Sequence, residues 1–350
     1  MKDTELKLIK SARCISPRHP MKVCDLIADR LVEAFKKSDP ESIAKISIKA
    51  RRGLLRASGD VFSKGGVGQK ELDAIVSEYL GSGISTEWAV NVEDANREER
   101  DNWRRSANGI YYGYADRMTR EMLPLEVVLA RSLCETIYHY CEIHSEGKVW
   151  VTIDLSNPME LVKAVDIQWA HTTKEEILKA VEIWAKVYTI NQTVESIEPY
   201  IEIISDEKAD NWYNDEYLGY CSGSAEDVDF YGTTWAGRNG YEFKSPAGIT
   251  PVLLERSGYL MARYLAVQIL MSNPEADEVA AKLDYTNGEC EPTIIVNGSV
   301  VSDIDIKNIV KLDPKSISRK LKLARLNPSI TMEFGQFGHN YRWEQKYELR

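Results

Sequence analysis

The feature that most restricts the fold is the change of hydrophobic period between residues 21 and 80. Val23, Ile27, Leu31 and Ala34/Phe35 recur at three- and four-residue steps, so Met21 to Lys37 is expected to form an amphipathic helix. Ser38-Asp39-Pro40 stops it. Residues 42–57 then place Ile43, Ile46, Ile48, Leu54 and Leu55 around Gly53, which reads as strand, turn, strand. Lys70 to Leu80 returns to the helical period and ends at Gly81-Ser82-Gly83. A chain that switches period in this way builds sheets covered by helices, so the class is mixed α/β.

The alternation continues. Ile110 to Ala115 is strand-like, Pro124 to Ile143 a long apolar helix, and Lys148 to Leu155 alternates as a strand does. Lys174 to Tyr188 is helical and Ile197 to Ile204 strand-like. Residues 219–248, rich in Gly, Ser, Asp and aromatics, read as loop with short strands. A helix at 258–271, a strand at 293–297 and helices at 303–311 and 313–323 complete the reading. Asn91 to Arg105 is a dense charge run, either a mobile loop or an exposed helix. No G-x-G-x-x-G turn follows a strand, which removes a Rossmann reading. Gly65-x-x-Gly68-x-Lys70 lacks the full phosphate-loop form and reads as a plain turn.

Composition closes off several classes. The chain has 350 residues, 43% hydrophobic and 28% charged, with a net charge of −10. An acidic surface is a poor match to nucleic acid, and the basic stretch from Lys315 to Arg325 reads as a solvated helix face. No apolar run is long enough to span a membrane, and the charged N-terminus is not expected to be a secretory signal. Six scattered cysteines without a C-x-x-C pair suggest reduced thiols and a cytoplasmic location. Cys141 and His144 have no second pair at zinc-binding spacing.

One segment carries more specific information. Arg18-His19-Pro20-Met21-Lys22-Val23-Cys24-Asp25 resembles the G-H-P-D-K-[IV]-[CA]-D signature of S-adenosylmethionine synthetases, the methionine adenosyltransferases. Further segments resemble the same family in the same order. Ser58-Gly59-Asp60-Val61 is similar to G-G-E-[IV], Gly109 to Ala115 to G-L-M-F-G-Y-A, and Glu146 to Thr152 to D-[AG]-K-x-Q-V-T. Glu255 to Tyr264 is close to D-R-S-A-A-Y-M-A-R-Y, Glu291-Pro292-Thr293 to A-E-P-T, and Gly335 to Gly338 with Trp343-Glu344 to G-H-F-G and P-W-E.

The resemblance implies three intertwined α/β domains related by pseudo-threefold symmetry, each a sheet covered by helices on one face. Approximate boundaries are 1–16 with 125–215 for the N-terminal domain, 17–124 with 216–262 for the central one, and 263–350 for the C-terminal one. It also implies sheets of two subunits packed together in a large apolar, obligate interface with the sites between subunits. The implied reaction is attack of the methionine sulfur on C5′ of ATP, with the triphosphate released and hydrolysed to phosphate and pyrophosphate. Such a leaving group calls for Mg²⁺, K⁺, lysines and arginines.

Carried over position by position, the site is uneven. His19 and Lys148 stand at the family's triphosphate-side histidine and lysine, and Asp60 and Asp227 at two further site positions. Glu255 replaces one metal-binding Asp, while Met21 replaces the other with a thioether, which does not serve Mg²⁺. Ser47 stands at the potassium-binding Glu, and Ala107 at an Asp expected to touch substrate. Four cationic positions have become Thr233, Thr234, Ile249 and Leu253, leaving Arg238, Lys244 and Arg256 as substitutes. Each lost charge-assisted contact is expected to cost about 2–4 kcal/mol of transition-state stabilisation. The expectation is a synthetase homologue, impaired alone, that binds ATP and methionine as a homodimer or in a hetero-oligomer with an active methionine adenosyltransferase. The alternatives are a self-sufficient divergent synthetase and a non-catalytic regulator that binds methionine or a nucleotide.

Overall fold

The computed structural model describes residues 8–105, 108–189, 192–216, 219–223, 230–232, 245–302, 306, 310–331 and 333–345. In chain order the strands and principal helices are β1 (Ile9–Ile15), α1 (Pro20–Ser38), β2 (Ile43–Arg51), β3 (Leu54–Phe62), α2 (Gln69–Leu80) and β4 (Ser85–Glu93). Then come α3 (Arg97–Arg105), β5 (Gly109–Asp116), α4 (Leu125–Glu135), β6 (Gly147–Asp154), β7 (Val162–Ala170), α5 (Lys174–Tyr188), β8 (Tyr200–Ile204) and β9 (Tyr220–Cys221). The last are α6 (Leu254–Ser272), β10 (Glu278–Thr286), β11 (Glu289–Val296), β12 (Ser299–Val301) and α7 (Pro314–Leu321). Among the described residues no helix is long and apolar enough to cross a membrane.

The strands form three four-stranded sheets, ordered β1-β6-β7-β8, β9-β2-β3-β4 and β5-β10-β11-β12. The first two share one plan. An antiparallel hairpin is followed by a helix and a parallel strand: β6-β7-α5-β8 in one, β2-β3-α2-β4 in the other. An antiparallel edge strand then arrives from a distant part of the chain: β1, β9 or β5. The third sheet departs only at β12, which is antiparallel to β11.

Strand alternation buries one face of each sheet under its helices. On the β2-β3 sheet Ala44, Ile46, Ile48, Leu55 and Ala57 meet Val23, Ile27, Leu31 and Phe35 of α1 and Leu72 and Val76 of α2. Burying each large side chain contributes roughly 1.5–3 kcal/mol. The other two sheets share a second core, in which α4 covers β1 and β6, α5 packs on α4, and α6 lies along β5 and β10. Local chemistry sets the helix ends. Pro20 opens α1, a Thr173–Glu176 capping box starts α5, and Asp313 accepts the Ser316 amide at α7.

The structure differs from the sequence reading in several places. Gly109–Asp116, assigned by sequence to the central domain, pairs instead with β10 of the third sheet. The expected boundary at 262/263 falls inside α6. The helix expected over 124–143 ends as an α-helix at Glu135 and continues as a π-turn to Tyr140, where Thr136 Oγ1 donates to the Ser132 carbonyl. The expected strand at 197–204 begins only at Tyr200. The charge run at 91–105 resolves into the end of β4 and the helix α3. Most of the helix expected at 303–311 lies outside the described residues.

Candidate functional site

Cationic side chains converge where β1 and β6 meet the start of α1. His19 is the N-cap of α1, and the Pro20 ring after it supplies no N–H. Arg13 on β1 faces Trp150 on β6 across the ladder, its guanidinium carbon 4.6 Å from the ring centroid. Lys148 Nζ lies 5.9 Å from the same ring. Lys22, one turn into α1, is buried. Burial drives the pKa of His19 down to about 3, with Lys148, Arg13 and Lys22 adding to the effect. The ring is therefore neutral at pH 7, and its buried Nδ1 has no hydrogen-bond partner. Burial, then Arg13, also lowers the Lys148 pKa.

Two carboxyls border this group, Asp25 fully buried and Glu146 half-buried. Burial pushes Asp25 up to about 7 against the opposing pull of Lys22, and it accepts from the Gly223 amide at 2.7 Å and Ser245 Oγ at 2.8 Å. Burial likewise raises Glu146 to about 7. Sequence reasoning named His19 and Lys148, and the structure brings them together. It missed Arg13, which lies in no motif, and gave Lys22 no role although it stands within one.

A second group forms at the start of α6. The 245–250 loop is sewn along β2: the Ile46 amide donates to the Gly248 carbonyl, and the Thr250 amide to the Ala44 carbonyl. Gly248 has φ +75°, and a Cβ there would fall 1.8 Å from the Ile46 carbonyl oxygen, so only glycine allows this approach. The loop delivers Glu255 to Lys45, and the two form an ion pair. Lys45 stands opposite Asp60 in the β2–β3 register, and the Trp103 ring of α3 lies 5.0 Å from its Nζ. The expected sites Glu255 and Asp60 thus lie near each other, with Lys45 between them.

Arg256 does not serve as the expected substitute for a lost phosphate contact. It is fully buried and paired in a fork with Asp29 of α1, at 2.8 and 3.0 Å. Its terminal nitrogens also reach the carbonyls of Ile249 and Pro328, while its buried Nε has no hydrogen-bond partner. The position faces the α1–α6 seam, so its charge is taken up within the fold. Leu253 is buried as the N-cap of α6, where a lysine would have no water. Asp227, Arg238, Lys244, Ala107, Thr233 and Thr234 lie outside the described residues.

Among the described residues, the side chains at the expected metal positions do not fit a hard divalent ion. Met21 offers sulfur, Glu255 is held by Lys45, and among the described residues no group of three His, Cys, Asp or Glu side chains could hold a metal. Ser47 Oγ lies 3.4 Å from Ser222 Oγ, and a pair of neutral hydroxyls supplies no charge for a monovalent cation. A cavity of about 640 Å³ opens behind this group, lined by Lys36, Glu41, Thr250, Asp313, Lys315 and Arg319 among others, but by none of the residues expected from sequence.

Residues 221–345 match the family model described as S-adenosylmethionine synthetase, C-terminal domain. The S-adenosylmethionine synthase of Mycoplasmopsis pulmonis (strain UAB CTIP) is 27% identical over 365 residues, covering 95% of this chain and 94% of that protein. Over nearly its whole length the chain is similar to S-adenosylmethionine synthetases. The S-adenosylmethionine synthase of Prochlorococcus marinus (strain MIT 9215) is 24% identical over 97% of this chain and 96% of its own length. The fold is that of an unusual S-adenosylmethionine synthetase from Campylobacter jejuni, with a TM-score of 0.79 at 18% identity, covering 96% of this chain and 97% of that one. Against this family, the motifs that survive best build the scaffold. Glu344 holds Arg263 at 2.9 Å and accepts the Gly338 amide, and buried Trp343 donates to the Gln336 carbonyl.

Proposed function

We propose that the chain binds the polyphosphate of ATP, together with methionine, as an S-adenosylmethionine synthetase homologue that is impaired alone and acts as a cytoplasmic subunit of a hetero-oligomeric methionine adenosyltransferase. The observation that carries this reading is the convergence of Arg13, Lys22 and Lys148 on a neutral His19 at the head of α1. Such a group suits a multiply charged anion, and the orphaned His19 Nδ1 gives it one more polar contact. Arg13, Lys22 and Lys148 would take the charge that develops on the departing triphosphate as the methionine sulfur closes on C5′. Impairment rests on the two metal positions: Glu255 is already paired with Lys45, and Met21, beside His19, offers no oxygen. The His19 and Glu255 groups belong to different sheets, which suits sites completed across a subunit boundary.

The test is a steady-state assay of the purified chain with ATP, methionine, Mg²⁺ and K⁺, reading S-adenosylmethionine and phosphate. Little turnover alone, with turnover raised by an added active homologue, is the expected result. Robust turnover of the lone chain would favour the self-sufficient reading, which Arg13 and Lys22 support because they add cations beyond those counted from the motifs. Absence of ATP binding in calorimetry, with Lys148→Ala indistinguishable from wild type, would remove both.

A further inference from the structure

Three features meet at Lys45. Its ammonium is paired with Glu255, whose second oxygen is buried and has no hydrogen-bond partner. Asp60 stands opposite it across the ladder. Trp103 covers it from α3, and α3 is itself held down. Buried Arg100 pairs with Asp39 at 3.1 Å and donates to the carbonyls of Ala95 and Glu41, while Trp103 packs edge-on to Phe62 at 4.7 Å. An ammonium over an aromatic face and against a carboxylate is doubly stabilised. Lys45 and Glu255 are each about one-third exposed, at 34% and 28%, so the pair opens to solvent on one side.

We propose that Lys45 is the cation of this site: its ammonium occupies the Glu255 carboxylate in place of a divalent metal, and presents a tethered positive charge to an anionic ligand. An ammonium has three donors and no coordination geometry to satisfy. One donor is used by Glu255, and Trp103 shields a second direction, which leaves the open side for a phosphate oxygen. A metal arriving at Glu255 would have to displace a charge fixed to the neighbouring strand. The part of this inference that concerns an anionic ligand rests on the polyphosphate reading above; the part that concerns the metal does not.

The experiment uses the full chain and two probes, Mn²⁺ alone and inorganic tripolyphosphate. Mn²⁺ uptake is followed by electron paramagnetic resonance without nucleotide. Wild type is expected to take up no stoichiometric Mn²⁺, Lys45→Met to gain a site, and Lys45→Met/Glu255→Gln to lose it again. One Mn²⁺ bound by wild type and removed by Glu255→Gln overturns the proposal, as does a folded Lys45→Met that gains nothing. Tripolyphosphate titrations in EDTA form the second arm. Lys45→Met is expected to weaken binding by roughly tenfold or more while Lys45→Arg largely retains it. Unchanged binding by Lys45→Met overturns the anion-binding half. Should no form bind tripolyphosphate, the polyphosphate reading fails while the Mn²⁺ result still decides what sits at Glu255.

Discussion

At the scale of single residues, burial rather than motif membership decides what a charge does here. The folded pKa of His19, about 3, lies below its ordinary value of 6.5, so between those values the unfolded chain binds more protons than the native one. The stability contributed by the neutral ring is therefore present above pH 6.5 and lost as pH falls toward 3. Asp25, raised from 3.8 to about 7, works in the opposite sense, its contribution being full below 3.8 and lost as pH rises through 7. In urea denaturation, wild type minus His19→Gln should therefore rise with pH from 3 to 6.5, by up to roughly 5 kcal/mol, and then level off. Parallel curves would show that the ring is not held neutral. For Arg256, replacement by Met is expected to remove about 3–5 kcal/mol by stranding Asp29, with Lys recovering only part because it lacks the fork. A thermal denaturation series checks it, and an unchanged Tm would refute the pairing. None of this was legible in the sequence, where Arg256 reads as an available cation; its partner lies on a helix more than two hundred residues earlier.

Between elements, α6 lies very close on β5. A Cβ on Gly113 would lie 2.0 Å from the Ala262 carbonyl carbon, and one on Gly258 would lie 2.5 Å from the Tyr111 ring. Both neighbours are fixed, one as helix backbone and the other as a ring packed on Tyr259. Gly113→Val should lift the helix off the sheet and cost at least about 3 kcal/mol, measured as a loss of Tm and of near-ultraviolet circular dichroism. A variant as stable as wild type would mean that the helix rides higher than described. The sequence reading found α1, α2 and α5 because each carries a 3.6-residue stripe, and it found α6 although that helix is buried nearly all round. It placed no strand at β1, β4, β7 or β10. Glu278–Thr286 shows why: its alanines, Lys282 and Asp284 are weak strand formers, and the segment is a strand because β5 and β11 flank it.

For the molecule as a whole, the faces turned away from the helices bear on assembly. Positions alternating with the buried ones include Lys49, Arg56, Asp60 and Glu87 on one sheet and Lys148, Asp166 and Glu202 on another. Ile9, Trp150 and Tyr200 add exposed apolar surface among these charges. Association through these faces should therefore carry an electrostatic part, and sedimentation equilibrium should show the Kd rising on the order of tenfold between low and high salt. A salt-independent dimer would point to another surface.

The borrowed edge strands carry a consequence for biosynthesis. Ile9 pairs with Asp154, Lys49 with Cys221 and Gly109 with Tyr285. A nascent chain leaving the ribosome therefore cannot finish any sheet from neighbouring segments. β1 waits for the synthesis of everything up to β8 before its own sheet is filled. Such high contact order slows folding and leaves unpaired strand edges open in the meantime. Assembly of this fold is closer to a late, concerted closure than to the stepwise addition of finished units.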